Sequence, residues 1–176
     1  MRVVLDTSVI YSALRSGSGA SNALLRLLGT GRYRAALSVA LCLEYESVLK
    51  RQALTIGYTV QDVKTLLDYL CAVCKPQTIY FLWRPQLRAP KDDLVLELAA
   101  NAACSHIVTF NLRDFAGCQR FGVEAVTPAQ FHSLLSTSLL PFRASAISAP
   151  SLHSRQDVLY SSLAPLGKAK ALQGDT

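Results

Sequence analysis

Acidic side chains recur in this sequence where the chain changes direction. Carboxylates in such places either cap helices or do chemistry. Asp6 ends the valine-rich run Val3-Val4-Leu5 and precedes the hydroxyl residues Thr7 and Ser8, as at a strand end turning into a helix cap. Asp114 lies five residues beyond Thr109, in the loop after a second apolar run, Ile107-Val108-Thr109. If both runs are strands of one parallel sheet, both carboxylates face the crevice beyond the strands' carboxyl ends, where open α/β sheets place their functional sites. Each could instead cap the helix or turn that follows it. Glu46 stands four residues before Lys50, the favourable order for an exposed ion pair. Glu44 sits three residues after Leu41 and four before Val48, at the margin of an apolar stripe. A carboxylate there is costly unless it is paired or bound to a metal, which makes Glu44 the functional candidate of the two. Asp92 and Asp93 open a later helix, and Asp93 shares a face with Glu97 at the i+4 position, a like-charge pair that calls for a counter-ion. A divalent metal held by oxygen ligands would supply it.

The elements that must position these acids alternate in type. A strand over 2–5 is followed by an apolar helical pattern over 20–28, a short strand over 34–37, and a helix from Val39 to about Arg51 with Ser38 as its cap. Val63, Leu66, Leu67 and Leu70 form one stripe of a helix over 60–73, and residues 78–82 read as a strand or extended segment. Proline and basic residues mark a loop over 84–91, ahead of a helix running from Asp92 and Asp93 to about Ala103. After the strand at 107–109 come a loop over 111–119, a strand over 123–126 and a helix begun by Thr127-Pro128. Such alternation predicts an α/β three-layer sandwich with a central parallel β-sheet.

Beyond about Ser136 the composition turns to Ser, Ala and Pro with sparse charge. The chain thus divides into a domain over 1–136 and a Ser/Ala/Pro-rich tail or extension over 137–176. The 176 residues suit one core, and 51% hydrophobic with 17% charged residues excludes wholesale disorder. No apolar stretch approaches the ~18 residues of a membrane span, and a carboxylate at position 6 does not suit a signal peptide. A soluble, cytoplasmic protein with no membrane partner is therefore expected. The five cysteines lie in apolar contexts, as reduced thiols do, and Cys71-x-x-Cys74 lacks the second ligand pair of a zinc site. Dinucleotide fingerprint, phosphate loop and nucleophile elbow are all absent. A net charge of +6 favours polyanionic partners.

In this order, these residues resemble the PIN-domain ribonucleases, especially the VapC-like toxins of toxin-antitoxin systems. The resemblance rests on Val3-Val4-Leu5-Asp6-Thr7-Ser8-Val9, the stretch from Ser38 through Glu44 to Arg51, Lys91-Asp92-Asp93-Leu94-Val95-Leu96-Glu97-Leu98-Ala99, and Ile107-Val108-Thr109-Phe110-Asn111-Leu112-Arg113-Asp114-Phe115. Val126 to Phe131 is similar to the family's closing strand and helix, so the match runs over residues 1 to about 135. It implies a PIN-like sheet and a metal-dependent endoribonuclease in which Asp6, Glu44, Asp93 and Asp114 hold Mg²⁺ or Mn²⁺ and are catalytic. Asp93 is preferred to Asp92 because its spacing to Thr109 matches the family's, which leaves Asp92 as cap or support. Two departures stand out: Ser8 replaces the usual Asn, and Asn111 occupies a place where many relatives carry an acid.

Thr7, Ser8, Asp92, Glu97, Thr109 and Asn111 are then candidates to orient the ligands. Arg84, Arg88, Lys91 and Arg113 are candidates for a basic rim that binds the RNA backbone. The resemblance also implies a small antitoxin protein as partner and a homodimer. Other readings are a structure-specific DNA nuclease and a non-catalytic partner-binding module on the same fold. A haloacid-dehalogenase-type phosphatase is disfavoured, because it needs an Asp where Ser8 stands.

Overall fold

The structure, a computed structural model, describes residues 1–79, 87 and 90–137. Its centre is a five-stranded sheet: β1 (Arg2–Leu5), β2 (Arg34–Leu37), β3 (Lys75–Pro76), β4 (His106–Val108) and β5 (Glu124–Val126). All pairings are parallel, in the order β3-β2-β1-β4-β5. Among the described residues six α-helices flank it: α1 (Thr7–Arg15), α2 (Ala20–Leu27), α3 (Val39–Gln52), α4 (Val60–Val73), α5 (Pro90–Asn101) and α6 (Pro128–Thr137). This is the expected α/β three-layer sandwich.

The order of the strands matters more than their number. From β1 the chain moves outward to β2 and β3, then returns to the other side of β1 for β4 and β5. The crevice between the carboxyl ends of β1 and β4 is thus the point where the connections diverge, the usual ligand position in open parallel sheets. The register there is fixed by Val3 opposite His106, Val4 opposite Ile107 and Leu5 opposite Val108. Ladder bonds continue one residue past the strands, from Asp6 N–H to the Val108 carbonyl and from Thr109 N–H to the Val126 carbonyl, both 2.9 Å.

Local sequence explains the helix boundaries. The Ser38 hydroxyl accepts from Leu41 N–H at 3.2 Å, and Leu41, Tyr45 and Leu49 form the buried stripe of α3. Thr59 and Asp62 make a reciprocal capping box at α4, whose predicted stripe of Val63, Leu66, Leu67 and Leu70 is buried. Thr127 and Gln130 make the same arrangement ahead of Pro128. β1 and β4 are apolar on both faces, as a covered parallel sheet requires.

One strand differs from expectation. The edge strand is Lys75–Pro76, ahead of the 78–82 segment read as a strand or extended segment, and it is closed by a 2.9 Å bond from Gln77 N–H to the Leu37 carbonyl. The chain leaves α4 at Cys74 directly beside β2, and Pro76 has no N–H with which to extend the ladder. Residues 80–82 lie outside the described set, as does the tail from 138 onward. Among the described residues no helix is long and apolar enough to cross a membrane.

Candidate active site

Asp6 occupies the cap position of α1, yet its side chain makes no capping hydrogen bond. Its Oδ2 accepts instead from the Ser8 hydroxyl at 2.5 Å and from the Thr109 hydroxyl at 2.8 Å. Thr109 is fully buried, and its Oγ1 also accepts from Asn111 N–H at 3.0 Å. A single hydroxyl thereby ties the end of β4, the start of the following loop and the first carboxylate together. Ser8, standing where relatives carry Asn, still reaches Asp6.

Glu44 is brought to the same edge by α3. Its neighbour Tyr45 is buried and donates from its hydroxyl to the Leu5 carbonyl, one residue before Asp6. That bond locks the rotation of α3 against the end of β1. Burial pushes the Glu44 carboxyl above its usual range and the Asp6 charge pushes it further, while Lys91 and the Thr7 hydroxyl pull the other way. The Thr7 hydroxyl is itself buried and makes no hydrogen bond of standard geometry, although it stands close enough to favour the ionised Glu44.

At α5 the structure separates the two aspartates. Asp92 is pushed from 3.8 up to about 6, first by partial burial and then by the charges of Asp114, Asp6, Glu44 and Asp93. Its side chain therefore lies among the acids contributed by β1, α3 and the loop after β4. Asp93 points inward: it is 2% exposed, and its Oδ1 accepts from Leu87 N–H at 2.8 Å. Glu97, one turn on, is 3% exposed on the same interior face. Asp6, Glu44, Asp92 and Asp114 thus lie within reach of one another's charge, and Asp93, favoured by sequence spacing, is buried beside Asp92 and adds its own charge to the group.

Asp114 lies half-buried in a short helical turn over Leu112–Phe115. Asn111 and Arg113 are exposed, as is Lys91, whose charge reaches Glu44. Arg84 and Arg88 fall outside the described residues. The positioning residue that sequence reading passed over is Tyr45. The available signal was its place four residues after Leu41, on the apolar stripe, where a buried phenol needs an acceptor.

A model of the PIN domain matches residues 2–113. The chain belongs to the PIN-domain family. Members of this family are generally nucleases, enzymes that hydrolyse phosphodiester bonds. No curated protein matches significantly. Among solved structures, the PIN fold here is similar to a chain in the crystal structure of VapBC2 from Rickettsia felis bound to a DNA fragment from their promoter. The TM-score is 0.52 at 14% identity, over 72% of this chain and 98% of that one.

Family membership implies a divalent metal, and the donor set can be tested against it. Among the described residues no three His, Cys, Asp or Glu side chains approach closely enough to enclose an ion by themselves. The chemistry nevertheless fits a hard cation. All four candidate donors are carboxylates, two of them are held above their usual range in part by the charges of the others, and a buried hydroxyl on Thr7 stands beside them without a standard partner. Mg²⁺ keeps several of its waters and needs only one or two direct carboxylates, so a loose ring suits it better than a tight cage.

Proposed function

We propose that the chain is a metal-dependent endoribonuclease, using Mg²⁺ or Mn²⁺, and the toxin of a toxin-antitoxin pair. The observation that carries this reading is the convergence of acids at the β1–β4 crevice, where burial first and then the charges of neighbouring acids raise Glu44 and Asp92. Burial and like charge together hold Glu44 and Asp92 above their usual range, a cost that a bound cation would offset. When bound, such an ion supplies a water of lowered pKa and neutralises charge on the phosphate. Asp92 and Asp6 are the first candidates for direct ligands, with Glu44 and Asp114 completing the ring. Ser8 and Thr109 hold Asp6 by its Oδ2, which leaves Oδ1 for the ion. Glu44, at the rim of the ring, is suited to accept a proton from an attacking water.

Lys91 and Arg113, exposed beside the acids, offer the phosphate backbone a positive approach. Similarity to VapBC2 supports a small antitoxin as partner, and a homodimer is part of the same proposal. The test is cleavage of single-stranded and structured RNA by purified protein with Mn²⁺, Mg²⁺ or chelator. Cleavage should require the metal and be lost in Asp6→Asn, Glu44→Gln and Asp92→Asn, with a clear reduction in Asp114→Asn. An active Asp92→Asn beside a dead Asp93→Asn would return the third ligand to Asp93. Cleavage undiminished in chelator would end the proposal.

A further inference from the structure

Away from the carboxylates, the carboxyl ends of β2 and α4 and the start of α3 enclose an open groove of about 720 Å³. Its wall carries Leu37, Val39 and Ile79, together with the thiols of Cys42, Cys71 and Cys74. Cys42 lies in the first turns of α3 and Cys71 near the end of α4, on helices that pack against each other. Their Sγ atoms are 3.8 Å apart, and Cys71 is exposed while Cys42 is partly covered. We propose that Cys42 and Cys71 form a redox-modification site, closing to a disulfide between α3 and α4 on exposure to a peroxide.

The geometry asks little of the fold. The sulfurs must close from 3.8 Å to about 2.05 Å, within reach of side-chain rotation at two residues that are not locked in the core. Roles follow from environment. Cys42 is partly covered and Cys71 is exposed, so Cys71 is the sulfur that meets the oxidant. As thiolate it attacks one peroxide oxygen; the S–O bond forms, the O–O bond breaks, and hydroxide leaves and takes up a proton as water. The Cys42 sulfur then attacks the Cys71 sulfenic sulfur, releasing its proton; the S–S bond forms, the S–O bond breaks and a second water departs. Two thiols are oxidised and one peroxide is reduced to two waters. The bond would link residues 29 apart and fasten α3, the helix that also carries Glu44.

The full chain, reduced and freed of reductant, should be treated with hydrogen peroxide, then assayed for free thiols and mapped by non-reducing tryptic mass spectrometry. Free thiols should fall from five to three, with a cross-link between the peptides holding Cys42 and Cys71, reversed by dithiothreitol. Because Cys71 and Cys74 share a tryptic peptide, variants assign the bond: Cys74→Ser should still cross-link, whereas Cys71→Ser and Cys42→Ser should not. Melts of the reduced variants establish that each is folded, and the map of the parent stands without them. A cross-link that survives in Cys71→Ser, a bond between Cys71 and Cys74, disulfide-linked dimers, or thiol loss without a cross-link would each overturn the proposal.

Discussion

Asp92→Asn tests the site through stability alone, without any need for activity. The carboxyl rises from 3.8 to about 6, so ionising it costs the folded state more than the unfolded one. At about 1.4 kcal/mol per pH unit this corresponds to about 3 kcal/mol. Asp92 is only partly covered, and solvent screening reduces the figure to about 1 kcal/mol. The sign follows from linkage: the penalty is absent below about pH 4, where both states are protonated, grows between pH 4 and 6, and is constant above. In chelator at pH 7.5 the variant should therefore melt about 3 to 5 °C above the parent, with the gap closing as pH falls to 4. Saturating Mn²⁺ should reverse the order, because a hundredfold excess over Kd stabilises the parent by about 2.7 kcal/mol. Asp93→Ala is the control. It strands the partly buried Leu87 N–H and should lose about 1 to 3 kcal/mol in chelator and in metal alike. Thermal melts of the three proteins across pH 4 to 8 decide the matter. An Asp92→Asn protein less stable than the parent in chelator, with a gap indifferent to pH, refutes the clustering argument.

Further expectations concern the supports. Tyr45→Phe removes the buried hydroxyl bond to the Leu5 carbonyl and should cost about 1 kcal/mol in denaturant unfolding. Thr109→Val deletes both the donor to Asp6 and the acceptor for Asn111 N–H, and should cost about 1 to 2 kcal/mol and lower cleavage, with Thr109→Ser restoring both. Ala103 ends α5 at φ +47°, so Ala103→Gly should stabilise by about 0.5 to 1 kcal/mol, read as a higher melting temperature. A chain ending at Thr137 should keep a cooperative melt, because the capped α6 packs on α2 within the described core; an insoluble product would assign the tail to the fold.

Most of the framework was legible because periodicity and capping agreed locally. The stripe over 60–73 and the caps at Ser38 and Thr127 place three helices almost to the residue. Two features were not legible. β3 depends on where α4 delivers the chain relative to β2, a tertiary fact that overrides the β-preference of Thr78 and Ile79. Adjacent helical residues point about 100° apart, and counting back from Thr109 does not fix how α5 is rotated. Asp93 and Glu97 do share one face, and that face is buried, while the Asp93 charge still reaches Asp92. Asp6 and Glu44 were easier, since a strand end and the margin of an apolar stripe each leave one direction for the side chain.

The strand order also sets a clock. β1, made first, is bordered by β4, and the bond from Thr109 to Asp6 joins residues 103 positions apart. At about 5 to 20 residues per second, a ribosome needs roughly 5 to 20 s between them. During that interval Asp6, Glu44 and Asp92 emerge one by one on a chain whose central strand still has an open edge. No nascent chain that stops before Asp114 contains all four acids, and none lacking the end of β4 has the Thr109 bond to Asp6. Whatever chemistry the carboxylates perform begins only when translation of the core is nearly complete.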